Sequence, residues 1–410
     1  MIVRLFILAL VPMALAACGD SGKETEFEIT TAPAAETAER NTDYKPAFEG
    51  QTRAPVKSAN IAYTVETVAE GLDMPWAMQF LSDRRILVTE RSGSFRIVDR
   101  EGKVGPAMPA QPKVFAEGQG GLLDVALDPD FATNNIIYWT YAEPLDDGTN
   151  TTALAKGVLN AGGTRPQISN VSVIFRQQPS WKSHLHFGSR IIFAPDGKLF
   201  LTLGERSLPE SRVLSQDLRT HFGKVLRLER DGTPAAGNPF AGRDDARPEI
   251  WSYGHRNIQA AAIEPATGQL WVVEHGPRGG DEVNRVEAGR NYGWPVITYG
   301  IEYAGPKIGE GITRREGMEQ PVYYWDPNIA PAGMIFYTGD AFPAWRNSAF
   351  VGGLAGQKIV RLTIENGRVT GEEWLLATGE HRFRDVKQGP DGFIYALTEA
   401  GLILRVRPKA

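Results

Sequence analysis

Histidines, arginines and oxygen-rich turns gather in a few short stretches of this chain, and each stretch could support a different step of chemistry. His184-Leu185-His186-Phe187-Gly188-Ser189-Arg190 carries two imidazoles. An ordinary histidine titrates at about 6.5, so either could act as a general base near neutral pH, or both could be structural. Trp251-Ser252-Tyr253-Gly254-His255-Arg256-Asn257 supplies in Arg256 a permanent charge and a fork of donors for ligand oxygens, or else a surface ion pair. Arg382-Phe383-Arg384-Asp385 sets two arginines at alternate positions. On an extended segment these side chains share a face, so the pair could grip one anion or stay solvated at a strand edge. Gly276-Pro277-Arg278-Gly279-Gly280-Asp281-Glu282-Val283-Asn284, closing with Asn291-Tyr292-Gly293-Trp294-Pro295, offers turn carbonyls, two adjacent acids and amide oxygens. Such hard donors suit Ca²⁺, though the acids lack EF-hand spacing and could be purely structural. Gly118-Gln119-Gly120-Gly121-Leu122-Leu123 opens no helix, so it is not read as a phosphate loop; Gln119 becomes a neutral hydrogen-bonding group. With one cysteine and six dispersed histidines, a zinc site is not expected.

Each of these stretches stands beside a copy of one repeated unit, which tells what must position it. A short apolar strand, a Pro/Asp/Gly turn and a second β-branched or aromatic strand recur at Ala77–Glu90, Val125–Thr140, Ile191–Leu203, Ala261–Glu274, Met334–Gly352 and Asp385–Thr398. The starts lie roughly 45 to 75 residues apart, room for a four-stranded unit and an insertion loop. Further strands are visible at Ser94–Asp99 and Lys358–Thr363. Alternation around Asp-Gly turns gives hairpins, each with an apolar face that a neighbour must cover. The expected fold is all-β: a six-bladed β-propeller of four-stranded antiparallel blades around a central channel, with the candidate loops at its mouth. An open pair of β-sandwiches is the alternative, and no long amphipathic helix favours an α/β fold.

The chain ends carry different information. Arg4 followed by an apolar run from Leu5 to Ala17, too short to span a bilayer, reads as a secretory signal over residues 1–17. Leu15-Ala16-Ala17-Cys18 is the pattern before an acylated cysteine, so Cys18, the only cysteine, is expected to carry lipid rather than a disulfide. Asp20 is not adjacent to it, which favours the periplasmic face of the outer membrane. Residues 18–59, rich in Thr, Ala, Glu and Pro, read as a disordered tether, and residues 60–410 as the folded domain. A net charge of -5 with scattered basic residues excludes nucleic acid as a partner and leaves the membrane to the lipid alone.

Taken together, GQGGLLDVALDPDF, HFGSRIIFAPDG, SYGHRNIQ, EHGPRGGDEVN with NYGWP, and RFRDV resemble the soluble, calcium-dependent quinoprotein glucose/sorbosone dehydrogenase family, in particular its aldose sugar dehydrogenase members. The motifs occur in that order on five separate loops. The resemblance implies a propeller enzyme that oxidises aldoses at C1 to lactones with pyrroloquinoline quinone (PQQ). It implies that His186 is the base for the anomeric hydroxyl, while hydride passes to the quinone. Arg256 and Asn257 match residues that contact the quinone, Arg256 stabilising charge on its oxygen. Arg382 and Arg384 match residues that hold the cofactor and its carboxylates, and Gln119 a glutamine at the substrate end. The carbonyls of Gly276 and Pro277 match ligands of a Ca²⁺ that polarises the quinone. Glu282 and Tyr292 match a second, structural calcium site.

Two positions depart from that pattern. Ala355 stands where the glucose dehydrogenases have a cofactor-binding lysine, with Lys358 out of register, and Leu185 stands where they have an aspartate before the base. Broad aldose use is therefore expected over strict glucose specificity. A calcium-dependent propeller lactonase would leave Arg382 and Arg384 without a ligand. A non-catalytic envelope binding module would not need a base, an anion clamp and an oxygen-rich turn around one channel. The sequence assigns no electron acceptor.

Overall fold

The repeated hairpins become the two innermost strands of six blades. The computed structural model describes residues 27–28, 36–163 and 165–409. The signal expected over 1–17 and the acylated Cys18 lie outside them. Blade I comprises Pro75–Phe80, Ile86–Glu90, Ser94–Val98 and Met108–Pro109. Blade II runs Leu122–Leu127, Ile136–Pro144, Asn150–Asn160 and Gln167–Arg176. Blade III has Gly188–Phe193, Leu199–Leu203, Lys224–Leu228 and Ile250–Tyr253. Blade IV has Ile258–Ile263, Leu270–Glu274, Asp281–Val286 and Tyr323–Trp325. Blade V has Pro331–Phe336, Ala349–Gly353, Lys358–Glu365 and Arg368–Leu375. Blade VI takes Phe383–Gln388, Ile394–Thr398 and Ile403–Pro408 from the far end of the chain. Its next strand, Tyr63–Ala69, comes from the near end, and Phe27–Glu28 adds a short edge.

That mixed blade closes the ring. Tyr63–Ala69 pairs antiparallel with Ile403–Pro408, Val65 opposite Val406, so the first propeller strand zips the last blade shut. The innermost strands pack in cyclic order around the channel, and blade VI meets blade I. Closure of this kind leaves only short sheet edges exposed.

The second strand of each hairpin differs from the alternating pattern. Ile86–Glu90, Leu199–Leu203, Leu270–Glu274, Ala349–Gly353 and Ile394–Thr398 are buried at every position. Blades stack face to face, so a second strand is covered on both sides and reads as a continuous apolar run. Aromatic side chains fill the seams: Phe95 meets Trp139 edge to face at 5.6 Å between blades I and II, and Trp271 meets Phe336 at 5.8 Å between IV and V. Such pairs add about 0.5–1.5 kcal/mol beyond the area they bury.

The tether expectation over 18–59 is corrected from residue 36 onward. There the chain lies against the outer strands of blades IV and V: Ala54 N donates to the Tyr323 hydroxyl at 3.0 Å, Val56 bridges to Glu372, and Ser58 Oγ donates to Glu373 at 2.7 Å. Composition misleads because the segment is held by polar groups of the blades instead of by an apolar face of its own.

Candidate active site

Where the second strand of a blade reaches the channel mouth, a glutamate follows or ends it in four blades. Glu90 Oε1 accepts from Asp73 N at 2.9 Å in blade I. Glu205 meets His186 in blade III, Glu274 accepts from Arg256 N at 2.6 Å in blade IV, and Glu399 meets Arg382 and Arg384 in blade VI. Each acid thus fastens the segment entering its own blade, which is where the candidate residues lie.

In blade III this arrangement orients an imidazole. His186 is 6% exposed and its Nδ1 lies 2.6 Å from Glu205 Oε2. Burial works against the charge of Glu205, yet His186, Arg256 and the Ser207 amide hold its carboxyl below the ordinary range. A carboxylate only accepts, so Nδ1 carries the proton and the Nε2 lone pair is left for another acid. Burial also lowers the His186 pKa, outweighing the upward pull of Glu205, with Arg256 adding to the fall. The imidazole is therefore neutral near pH 7, and Nε2 has no protein partner among the described residues. Gly204 makes the contact possible, because a Cβ there would lie 2.1 Å from the His186 carbonyl oxygen.

His186 is tied in turn to blade II. Its N–H donates to Gln119 Oε1 at 2.9 Å, and Gln119 N donates to the His184 carbonyl at 2.8 Å. Gly118, at φ +58°, permits that approach: a Cβ would sit 2.6 Å from His184 O. Gln119, Phe187, Gly188 and Asn257 then line a cavity of about 360 Å³ in the channel mouth, with Trp76, Arg91, Gln259, His275, Leu354, Arg382, Arg384 and Glu399. That volume lies within the range of small-ligand sites.

The lining is cationic. Three guanidinium groups, Arg91, Arg382 and Arg384, face the single carboxylate of Glu399. Arg382 Nε lies 2.6 Å from Glu399 Oε2, and Arg384 Nη2 bonds the other oxygen, so the two arginines do share one side of their strand. Arg384 Nη1 also donates to Gln259 Oε1 at 3.1 Å, while its buried Nε has no partner among the described residues. Asn257 Oδ1 accepts from Gly188 N at 3.1 Å, setting its amide at the same wall. Beneath, Arg190 places Nη1 3.3 Å from both Asp124 and Asp385, donates Nε to the Gln259 carbonyl at 2.7 Å, and stacks 4.2 Å from Trp76. One buried cation thereby joins the inner strands of five blades into the floor.

A second, much smaller cavity of about 10 Å³ adjoins through His275 and contains Arg256, Glu274, Gly276, Pro277, Glu282, Tyr292 and Thr298. Arg256 therefore stands beside the main cavity, with Nη1 donating to His275 O at 2.9 Å and its guanidinium 5.2 Å from Trp294. Burial, helped by Arg384 and Arg256, pushes His275 down to about 3. Its Nε2 donates to the Pro331 carbonyl at 2.9 Å, so Nδ1 holds the lone pair. Asn284 Nδ2 bridges Glu274 at 3.0 Å and Glu282 at 3.2 Å, and burial together with the Glu274 charge raises Glu282 well above the carboxylate range. The Tyr292 hydroxyl is already committed, donating to Arg285 O at 2.7 Å and accepting from Glu287 N at 2.8 Å. Among the described residues no group of three His, Cys, Asp or Glu side chains is gathered tightly enough to hold a metal by itself. Lys358 points away, its Nζ 3.0 Å from the centre of the Trp374 ring.

Sequence reading missed Trp76, Arg91, Glu205, Gln259, His275 and Glu399. A signal existed for two of them, since Glu205 and Glu399 come just after the second strand of their repeats, within two residues of the place that Glu90 and Glu274 hold in theirs. Glu205→Gln should lower turnover by about a hundredfold by freeing the tautomer of His186. The same change removes the group that raises the His186 pKa, so the acid limb of the rate profile should shift to lower pH. An unchanged profile would detach Glu205 from the base.

A family model described as Glucose / Sorbosone dehydrogenase matches residues 72–405. An aldose sugar dehydrogenase of Escherichia coli K12 is 41% identical over 356 residues, 86% of this chain and 95% of its own length. The crystal structure of the soluble aldose sugar dehydrogenase from Escherichia coli in the apo-form superposes with a TM-score of 0.81 at 40% identity, covering 85% of this chain and 100% of that one. The PQQ-bound form of an aldose sugar dehydrogenase from Streptomyces coelicolor gives 0.70 at 28% identity, covering 87% and 100%.

Proposed function

The chain belongs to the glucose/sorbosone dehydrogenase family, and from that premise we propose that it oxidises aldose sugars at C1 to lactones with PQQ. The cationic cavity carries this reading. Three arginines with one acid, and a buried Arg384 Nε without a partner among the described residues, suit a planar ligand bearing several carboxylates. A lactonase would leave that charge unmatched.

When bound, PQQ would supply the two-electron oxidant that accepts the hydride leaving C1. The chain supplies the rest. His186 Nε2 takes the proton of the anomeric hydroxyl, and Glu205 keeps the ring in the productive tautomer and stabilises the imidazolium. Arg382 and Arg384 hold the carboxylates, with Glu399 aligning both forks. Asn257 and Gln259 present amide groups to the cofactor, and Gln119, bonded to the His186 backbone, faces the sugar. Arg256 places a fixed charge beside His275 that would stabilise negative charge on a bound quinone.

Calcium fits the smaller cavity by donor chemistry. The carbonyls of Gly276 and Pro277 accept no backbone hydrogen bond among the described residues, and they border a space of one-ion size. Glu282 and Glu274 confront each other there, and the buried Oδ1 of Asn284 has no partner among the described residues. Gly276 and Pro277 would hold that ion next to the cofactor as a Lewis acid; Glu282, with the backbone carbonyl of Tyr292, would serve a separate structural ion for which this space has no room. Leu185, 38% exposed beside the base, places an apolar side chain at the sugar end and supports broad aldose use. We place the enzyme at the periplasmic face of the outer membrane, held by lipid on Cys18.

Calorimetric titration with PQQ, with and without Ca²⁺, tests the cofactor assignment. One saturable site that tightens with Ca²⁺ is expected; absence of binding in both titrations contradicts it.

A further inference from the structure

Residues 36–58 lie outside the stretch that matches the family model, and they cross the edge of the site as a strap. Asp326, the residue after the outermost strand of blade IV, is 2% exposed, and the strap supplies its donors. Asn41 N and Nδ2 donate to Oδ1 at 2.8 and 3.0 Å; Thr42 N and Oγ1 donate to Oδ2 at 3.1 and 2.9 Å. A carboxylate so buried is costly once its donors are removed.

The residues around Asp326 build the oxygen-rich turn. Gly280 N donates to Trp325 O at 2.9 Å, and Gly279 N donates to Asn328 Oδ1. Asn328 Nδ2, Ile329 N and Ala330 N donate to Asp281 at 2.6, 2.8 and 2.7 Å, and Asp281 accepts from Gly276 N at 2.7 Å. The strap also touches the turn directly, since Arg278 Nε donates to Asn41 Oδ1 at 3.2 Å.

We propose that the strap is a positioning element of the site: Asn41 and Thr42, acting through Asp326, fix the Gly276–Asp281 turn and so set the affinity for what its carbonyls hold. The identity of that ligand rests on the functional reading above; the mechanical link does not.

The test uses full-length chain carrying Asn41→Ala with Thr42→Pro, which removes three of the four donors to Asp326. Hydrogen exchange at the amides of Gly276, Gly279, Gly280, Ile329 and Ala330 should quicken by about tenfold, while blades II and III keep their protection. Affinity for PQQ in the presence of Ca²⁺ should fall by a similar factor, with kcat at saturating cofactor retained. Thr42→Val, a milder change, should move the same amides in the same direction. Unchanged exchange at those five amides in both variants overturns the proposal. The exchange readout needs no cofactor, so it decides the strap even where the unsubstituted protein binds no quinone.

Discussion

His186→Ala is expected to lower kcat by about three orders of magnitude and to leave PQQ affinity nearly unchanged. The ring is nearly buried and points its Nδ1 at Glu205, so its contribution is a positioned lone pair rather than a binding contact. Because burial holds its folded pKa below the ordinary value of about 6.5, the base form persists into mildly acid solution. Turnover should therefore be flat near neutrality and fall only as pH drops through that lowered pKa, an acid limb with its midpoint below about 6.5. Steady-state rates against pH check both statements. A variant that retains its rate would remove His186 from the chemistry, and a limb well above that midpoint would mean that the imidazole is charged in the resting protein.

Arg384→Ala should show the opposite split. Its guanidinium is buried, bonded to Glu399 and Gln259, and keeps an unpartnered Nε. Truncation removes a desolvated donor from the ligand's carboxylates and leaves Arg91 and Arg382 to balance Glu399. Binding of PQQ should weaken by about two orders of magnitude, about 2.7 kcal/mol. At saturating cofactor kcat should stay within a few-fold of the original value, because the base and its orienting acid are untouched. A fall in kcat without a fall in affinity would move Arg384 from the clamp to the reaction centre. The unfolding midpoint of the variant guards against simple loss of fold.

The propeller was legible because its repeat is written in turns: six strand–turn–strand copies, each now the inner hairpin of a blade. Burial of the second strands on both faces follows from blade stacking, which no single hairpin reveals. Four candidate loops converge because they enter the first strands of blades II, III, IV and VI, and Gln119, Asn257, Arg382 and Arg384 share one cavity as a result; the Gly276–Asp281 turn instead joins the second and third strands of blade IV. Arg256, Gly276 and Pro277 fall on its neighbour, a distinction that spacing cannot carry. Glu205 and Glu399 escaped notice because a glutamate ending an apolar strand looks like a solvated edge until its partner, 19 residues away for His186 and 15 for Arg384, is brought to it. The strap escaped for the converse reason: main-chain groups and polar side chains of blades IV and V hold it, partners far away in sequence that its polar composition hides.

The purified chain, supplied with PQQ and Ca²⁺ and offered a panel of aldoses, should reduce an artificial dye in proportion to sugar, and omission of PQQ should abolish the signal. Dye reduction with several aldoses that depends on PQQ is the predicted result. PQQ bound tightly with no aldose oxidised, or sugar oxidation that proceeds equally without PQQ, would contradict it.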